Sequence, residues 1–193
     1  MIETWERGVG SKTKQRERLE WRWVVHLVAL GLATAIAVIA VWIFLSFRIG
    51  VILSQSMMPT LKPGDHYLIN LRAFRYEAPR RQDIVVFHAE DDLLVKRIIG
   101  LPGDKVNILW GKVYVNDQPL SETYLLEEPI VENPLQVQVP EGQLFVLGDN
   151  RNNSDDSRDF GPINLDTVLG RADRILSPSS RRLSLLPAKA PTR

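Results

Sequence analysis

From Trp23 to Phe47 the chain runs WVVHLVALGLATAIAVIAVWIFLSF, 25 residues without Asp, Glu, Lys or Arg. Nothing else in the sequence narrows the fold as much. At about 1.5 Å of rise per residue the run makes roughly 37 Å of helix, enough to cross a hydrocarbon core about 30 Å thick with some tilt. A cleaved secretory signal is the alternative, but its apolar region is about 7–15 residues long and closes on small residues before the cut. This run is longer and ends on Phe47-Arg48. The expectation is a transmembrane helix over 23–47 that is retained.

The flanks set its direction. Residues 1–22 carry six Lys/Arg against four Glu. A basic flank stays on the cytoplasmic side, and Trp21, Trp23 and Trp42 near the ends suit the two interfaces. The segment 1–22 is therefore expected in the cytoplasm and the body from 48 onward across the membrane. His26, near the cytoplasmic end, reads as an interfacial polar residue. The remaining chain holds 18 basic and 19 acidic residues. Without a basic surplus the body is poorly suited to phosphate backbones, so a lipid bilayer is an expected partner and nucleic acid is not. The chain has no cysteine, which excludes disulfides, thiolate catalysis and thiolate zinc sites. Its 193 residues hold one anchor and one compact domain.

Beyond residue 48 the pattern changes to short β-rich runs: His66–Leu71, Asp83–His88, Leu93–Ile99, Lys105–Leu109, Lys112–Asn116, Gln136–Val139, Gln143–Leu147 and Val168–Leu176. Trp110-Gly111 and Asn116-Asp117 read as turns between them. These runs predict a mostly β body over 48–176, a compact barrel-like antiparallel domain. Residues 117–135, acidic and with little alternation, read as an excursion from the sheet, and the tail 177–193 is expected to be mobile. Lys62-Pro63-Gly64-Asp65 and Leu101-Pro102-Gly103-Asp104 each place Pro and Gly as a type II turn requires.

Three segments carry the candidate chemistry. In Ser54-Gln55-Ser56-Met57-Met58-Pro59-Thr60-Leu61, the proline biases Met58 toward extended geometry, so Ser56 is expected on an irregular stretch. In Leu93-Leu94-Val95-Lys96-Arg97-Ile98-Ile99-Gly100, a strand puts Lys96 on the face of Leu94 and Ile98 with the opposite face apolar too. A lysine so flanked is desolvated, and desolvation favours the neutral amine that a base needs. A lone lysine on an exposed edge strand, guarding against aggregation, is the competing reading, and the apolar flanks weigh against it. The third segment, Gly148–Gly161, is rich in Asp and Asn. It lacks the Gly at the sixth and the Glu at the twelfth position that a calcium loop needs, so no metal is expected.

Together the segments resemble type I signal peptidases, the membrane-bound enzymes that remove signal peptides from exported proteins. Ser54–Leu61 matches the family's Ser-x-Ser-Met-x-Pro-Thr-Leu, Lys96–Asp104 its Lys-Arg-x-x-Gly-x-Pro-Gly-Asp, and Gly148–Arg158 its Gly-Asp-Asn-x-x-x-Ser-x-Asp-Ser-Arg. The resemblance covers about 48–176 and implies a serine endopeptidase without a cofactor. By it Ser56 is the nucleophile and Lys96 the general base; Ser54 assists the Ser56 N–H in holding the oxyanion, and Ser154 orients the lysine. It further implies supporting pairs Asp156 with Arg158 and Arg97 with Asp149. Shallow pockets for small residues, the Ala-x-Ala pattern, would be walled by Ile52, Met57, Leu61, Leu94 and Val95. The partners it implies are signal peptides of preproteins, at a bacterial plasma membrane or a photosynthetic membrane. Gln55 and Leu53 depart from the family's common Gly and Pro there, which bears on the loop that holds the oxyanion donors.

Three rival readings differ in class. A Ser-His-Asp hydrolase could use His66 or His88, but the chain has no Gly-x-Ser-x-Gly elbow. A self-cleaving repressor shares the Ser/Lys pair but carries a DNA-binding region where this chain has its apolar run. An anchored, non-catalytic binding domain would have lost one or more of Ser56, Lys96, Ser154, Asp156 and Arg158, and all are present.

Overall fold

The computed structural model describes residues 3–90, 92–130, 134–178 and Leu185, with side chains from Trp21 onward. It divides into two units, Met1–Leu45 and Ser46–Arg193. The first is a single helix, α1 (Glu3–Ser46), that continues N-terminally through the basic segment. Its stretch Trp21–Ser46 has mean hydropathy 2.6 and no buried residue in its most apolar window, and is long and apolar enough to cross a membrane. Phe47, grouped with the apolar run by composition, instead opens the first strand.

The second unit is antiparallel throughout. Its strands are β1 (Phe47–Val51), β2 (His66–Asn70), β3 (Ile84–Ala89), β4 (Asp92–Gly100), β5 (Lys105–Leu109), β6 (Lys112–Val115), β7 (Gln118–Pro119), β8 (Leu135–Gln138), β9 (Gln143–Leu147), β10 (Ile163–Asn164) and β11 (Val168–Ser177). Two short helices, α2 (Ala73–Tyr76) and α3 (Ser157–Phe160), interrupt them. Seven strands form one sheet in the order β1-β2-β11-β3-β4-β9-β10, and four form another in the order β7-β6-β5-β8. The expected barrel is therefore not closed: among the described residues the seven-stranded sheet runs open from β1 to β10. The reason lies in the chain order, since β5 to β8 leave to build their own sheet between β4 and β9.

Local chemistry accounts for the tight turns. Trp110 and Gly111 have φ of 53° and 77°, and Asn116 and Asp117 of 52° and 63°, the paired left-handed values of two-residue hairpins. Both Pro-Gly turns close alike. Asp65 N–H donates to Lys62 O at 3.0 Å and Asp104 N–H to Leu101 O at 2.9 Å. Each aspartate's carboxylate then accepts from the N–H of the turn's first residue at 2.8 Å.

The sheet is buried on both faces at its centre. From β3, Ile84 and Val86 join a core with Met57, Leu61, Tyr67, Ile69, Ala172 and Ile175, while Val85 and Phe87 join one with Ile98, Leu144 and Val146. A third core lies on the small sheet, with Val106, Val113 and Val115 against Ile99, Phe145 and Leu147. Of the tail expected to be mobile, most lies outside the described residues. Leu185 is buried in the first core and its N–H donates to Asp173 O at 2.8 Å.

Candidate active site

The loop between β1 and β2 is irregular, as the proline requires, and is pinned from below. Met57 and Leu61 are almost fully buried, and Ile52 N–H donates to Asp65 O at 2.9 Å while Gly64 N–H returns to Ile52 O at 2.8 Å. Met58 N–H to Gln55 O at 3.1 Å and Leu61 N–H to Met57 O at 2.9 Å tighten the bend. Ser56 stands half-buried on it, with its Oγ 3.2 Å from the Oγ of the exposed Ser54.

Lys96 lies on β4, just where the strand passes from exposed to buried. It is 3% exposed, and its Nζ donates to Ser154 Oγ at 3.0 Å. Burial pushes its ammonium below the ordinary 10.5, against the smaller pull of the Asp156 and Asp155 carboxylates, which favour the charged form.

The segment Gly148–Phe160 wraps both elements. Asn150 N–H donates to Ser56 O at 3.0 Å and its side chain to Gln55 O at 3.2 Å, so the third segment grips the serine loop by its backbone. Gly148 is required by space: a Cβ there would lie 2.6 Å from Ser154 Cβ and 2.6 Å from Ser56 O. Asp156 closes the segment on itself. It accepts from Gly148 N–H at 2.9 Å, caps α3 through Arg158 N–H at 3.2 Å, and pairs with Arg158 Nε at 2.9 Å and Nη2 at 3.1 Å. Arg158 Nη2 also donates to Arg151 O at 2.7 Å and Ser154 O at 3.3 Å, which holds the residue that faces Lys96. On the other side Arg97 grips Asp149 with two bonds, 2.7 and 2.6 Å, and is buried with it.

Several supporting residues are not singled out in the sequence. The acidic excursion packs back on this segment: Glu122 and Arg151 form a buried ion pair, and Tyr124 lays its ring 4.0 Å from the Arg97 guanidinium carbon. Asn152 bonds Glu127 at 2.9 Å and accepts from Ile130 N–H at 2.8 Å. Burial, reinforced by Glu122, drives the Tyr124 hydroxyl well above its ordinary value. Thr60, inside the first motif, accepts from Arg97 Nη2 at 3.3 Å and donates to Asp149.

A cleft of about 220 Å³ opens beside the two serines, walled by Ile52, Met57, Leu94 and Val95 together with Leu53 and Tyr67. Tyr67, which the motifs do not single out, is buried and its hydroxyl is pushed up to about 12 by that burial. Leu61 does not reach this cleft; it is fully buried in the core under the loop. His66 and His88 are exposed on β2 and β3, and neither lines the cleft.

A half-buried serine at an apolar cleft, with a desolvated amine on the adjoining strand, is chemically suited to attack on a carbonyl carbon. The profile of the family described as Signal peptidase, peptidase S26 matches residues 21–176. The chain belongs to this family, the signal peptidase I serine endopeptidases. It is 41% identical over 138 residues to "Probable signal peptidase I-1" of Synechocystis, a match covering 66% of this chain and 70% of that one. Against "Signal peptidase I" of Bacillus caldolyticus it is 34% identical over 177 residues, covering 84% of this chain and 92% of the relative. A third relative is "Probable thylakoidal processing peptidase 2, chloroplastic" of Arabidopsis thaliana, 39% identical over 62% of this chain and 35% of its own length.

Proposed function

We propose that the chain removes N-terminal signal peptides from exported preproteins, cutting after small residues through a Ser56/Lys96 dyad and an acyl-enzyme. The observation that carries this is Lys96: at 3% exposure its amine is held at Ser154 Oγ, 3.0 Å away, on the strand that continues the wall of the Ser56 cleft. An exposed lysine would be protonated at neutral pH and useless as a base. In this scheme neutral Lys96 takes the Ser56 hydroxyl proton as Oγ bonds to the scissile carbonyl carbon. The oxyanion is held by the Ser56 N–H and the Ser54 hydroxyl, donors worth about 3 kcal/mol each. The C–N bond then breaks, and the leaving nitrogen takes the proton back from Lys96. A water, deprotonated by Lys96, attacks the ester, and Ser56 leaves as its hydroxyl with that proton. Arg97, Asp149, Asp156 and Arg158 frame the site without touching substrate.

The substrate would lie extended along β4. β9 pairs with β4 only from Arg97 onward, so the edge at Leu93–Val95, next to the cleft, is left to an added strand. A cleft of about 220 Å³ suits one or two small side chains, which supports cutting after an Ala-x-Ala pattern. In this reading 1–22 lie in the cytoplasm, the apolar stretch up to Ser46 crosses the membrane and the β domain that follows lies outside it, in a bacterial plasma membrane or a photosynthetic membrane; the basic flank and the apolar helix support it. The test is cleavage of a preprotein by the detergent-solubilised chain, with the cut located by mass spectrometry. Wild type should cut once after a small residue, and Ser56→Ala and Lys96→Ala should leave the preprotein intact; substantial cleavage by either variant overturns the dyad.

A further inference from the structure

We infer that a second cavity, on the other side of Leu94, receives the first residues of the mature protein and selects against acidic ones; this rests on the Ser56/Lys96 reading. The cavity is about 530 Å³, larger than the serine cleft, and the two share Leu94 as a common wall. Its apolar floor includes Phe87 and Phe160, whose rings stand 6.3 Å apart. Its rim carries Glu90, Asp92 and Asp155 beside His88, and among the described residues no Lys or Arg lines it.

The chemistry fixes which side of the cut this is. The leaving nitrogen must receive a proton from the Lys96 amine, so the chain beyond the scissile bond departs from the serine toward the lysine. Lys96 Nζ rests on Ser154 Oγ, and the next residue, Asp155, lines the second cavity. Leu94 and Lys96 lie on one face of β4, since side chains two apart point the same way. The mature segment therefore enters a carboxylate-rich cavity, with His88 as its one other titratable group among the described residues. Neutral or basic residues are accepted there, and acidic ones meet like charge.

The experiment uses the full chain in detergent and three preproteins identical through the cut, with Ala at the first mature position and Lys, Ala or Glu at the second and third. The lysine substrate should exceed the glutamate substrate in kcat/KM by about five- to tenfold at low salt, less at high salt. In the double variant Glu90→Gln, Asp92→Asn the ratio should fall below about twofold, with the alanine substrate cut at the wild-type rate. Equal rates on lysine and glutamate substrates, or a preference that survives in the double variant, overturn this inference alone. Cleavage of the alanine substrate that persists in Ser56→Ala overturns the reading on which it rests.

Discussion

Burial of the Lys96 amine costs stability while the amine is charged, and both stability and the proposed reaction gain as pH rises. Because its folded pKa lies below the ordinary 10.5, the unfolded chain binds the extra proton between the two values. Stability therefore rises with pH across that window and is lowest, as far as this group is concerned, below the folded pKa. Lys96→Met keeps the apolar stem and removes the charge. It should be at least as stable as wild type at pH 7 in urea unfolding, and should lose that advantage as pH climbs toward 10.5. A stability difference between the two proteins that stays constant from pH 7 to 10 would show that the amine is not desolvated. With Lys96 as the proposed base the rate follows the neutral amine, so kcat/KM should fall on acidification through the same lowered pKa. Ser154→Ala removes the acceptor 3.0 Å from Nζ and should lower kcat by about 10–100-fold with little change in KM, since it touches the base and not the bound peptide.

The element that carries most of the site's precision is the segment Gly148–Phe160, which holds the serine loop, the lysine's partner and its own ends together. Gly148→Ala would force a methyl to within 2.6 Å of both Ser154 Cβ and Ser56 O. Overpacking of this kind costs about 1–3 kcal/mol, while the shift it imposes on both serines should reduce kcat by about 100-fold or more. A cooperative urea transition with cleavage lost would separate the two effects. The excursion stiffens this segment from outside. Glu122→Leu leaves the Arg151 guanidinium, 3% exposed in its side chain, without its carboxylate and should cost about 3–5 kcal/mol in the same unfolding measurement. The third motif includes Gly148, but what a side chain there would strike, and the Glu122 pair, could not be read from the sequence. All eight strands predicted from alternation and turn residues are present, because those signals are local. β1 was hidden because it follows the apolar helix with no turn residue between Ser46 and Phe47, and β7 and β10 are only two residues long. The motifs named Arg97, Asp149, Asp156 and Arg158. Glu122 instead pairs with Arg151, 29 residues on, and Tyr124 stacks on Arg97 from a distant part of the chain, through packing that no short-range pattern encodes.

At the scale of the whole chain, the helix and the β domain are separable units, and their boundary dictates where they can be parted. β1 is an edge strand, paired with β2 from Phe47↔Asn70 to Val51↔His66, and Ser46 O accepts from Leu71 N–H at 2.9 Å. A cut inside β1 would remove that pairing and unsettle Ile52, which ties the serine loop to Asp65. Removal of residues 1–45 leaves intact every hydrogen bond described above for the site. The truncated chain should unfold cooperatively in urea, leave the membrane fraction on alkaline extraction, and cleave a short detergent-dispersed signal-peptide substrate within about tenfold of the full chain. Removal of residues 1–51 should abolish cleavage. If the 1–45 deletion were folded yet inactive on the short substrate, the apolar helix would be part of the catalytic unit and not only its anchor. If it were active on the short substrate but slow on a membrane-bound preprotein, the helix would act by holding enzyme and substrate in the same bilayer, raising their effective concentration without any new contact.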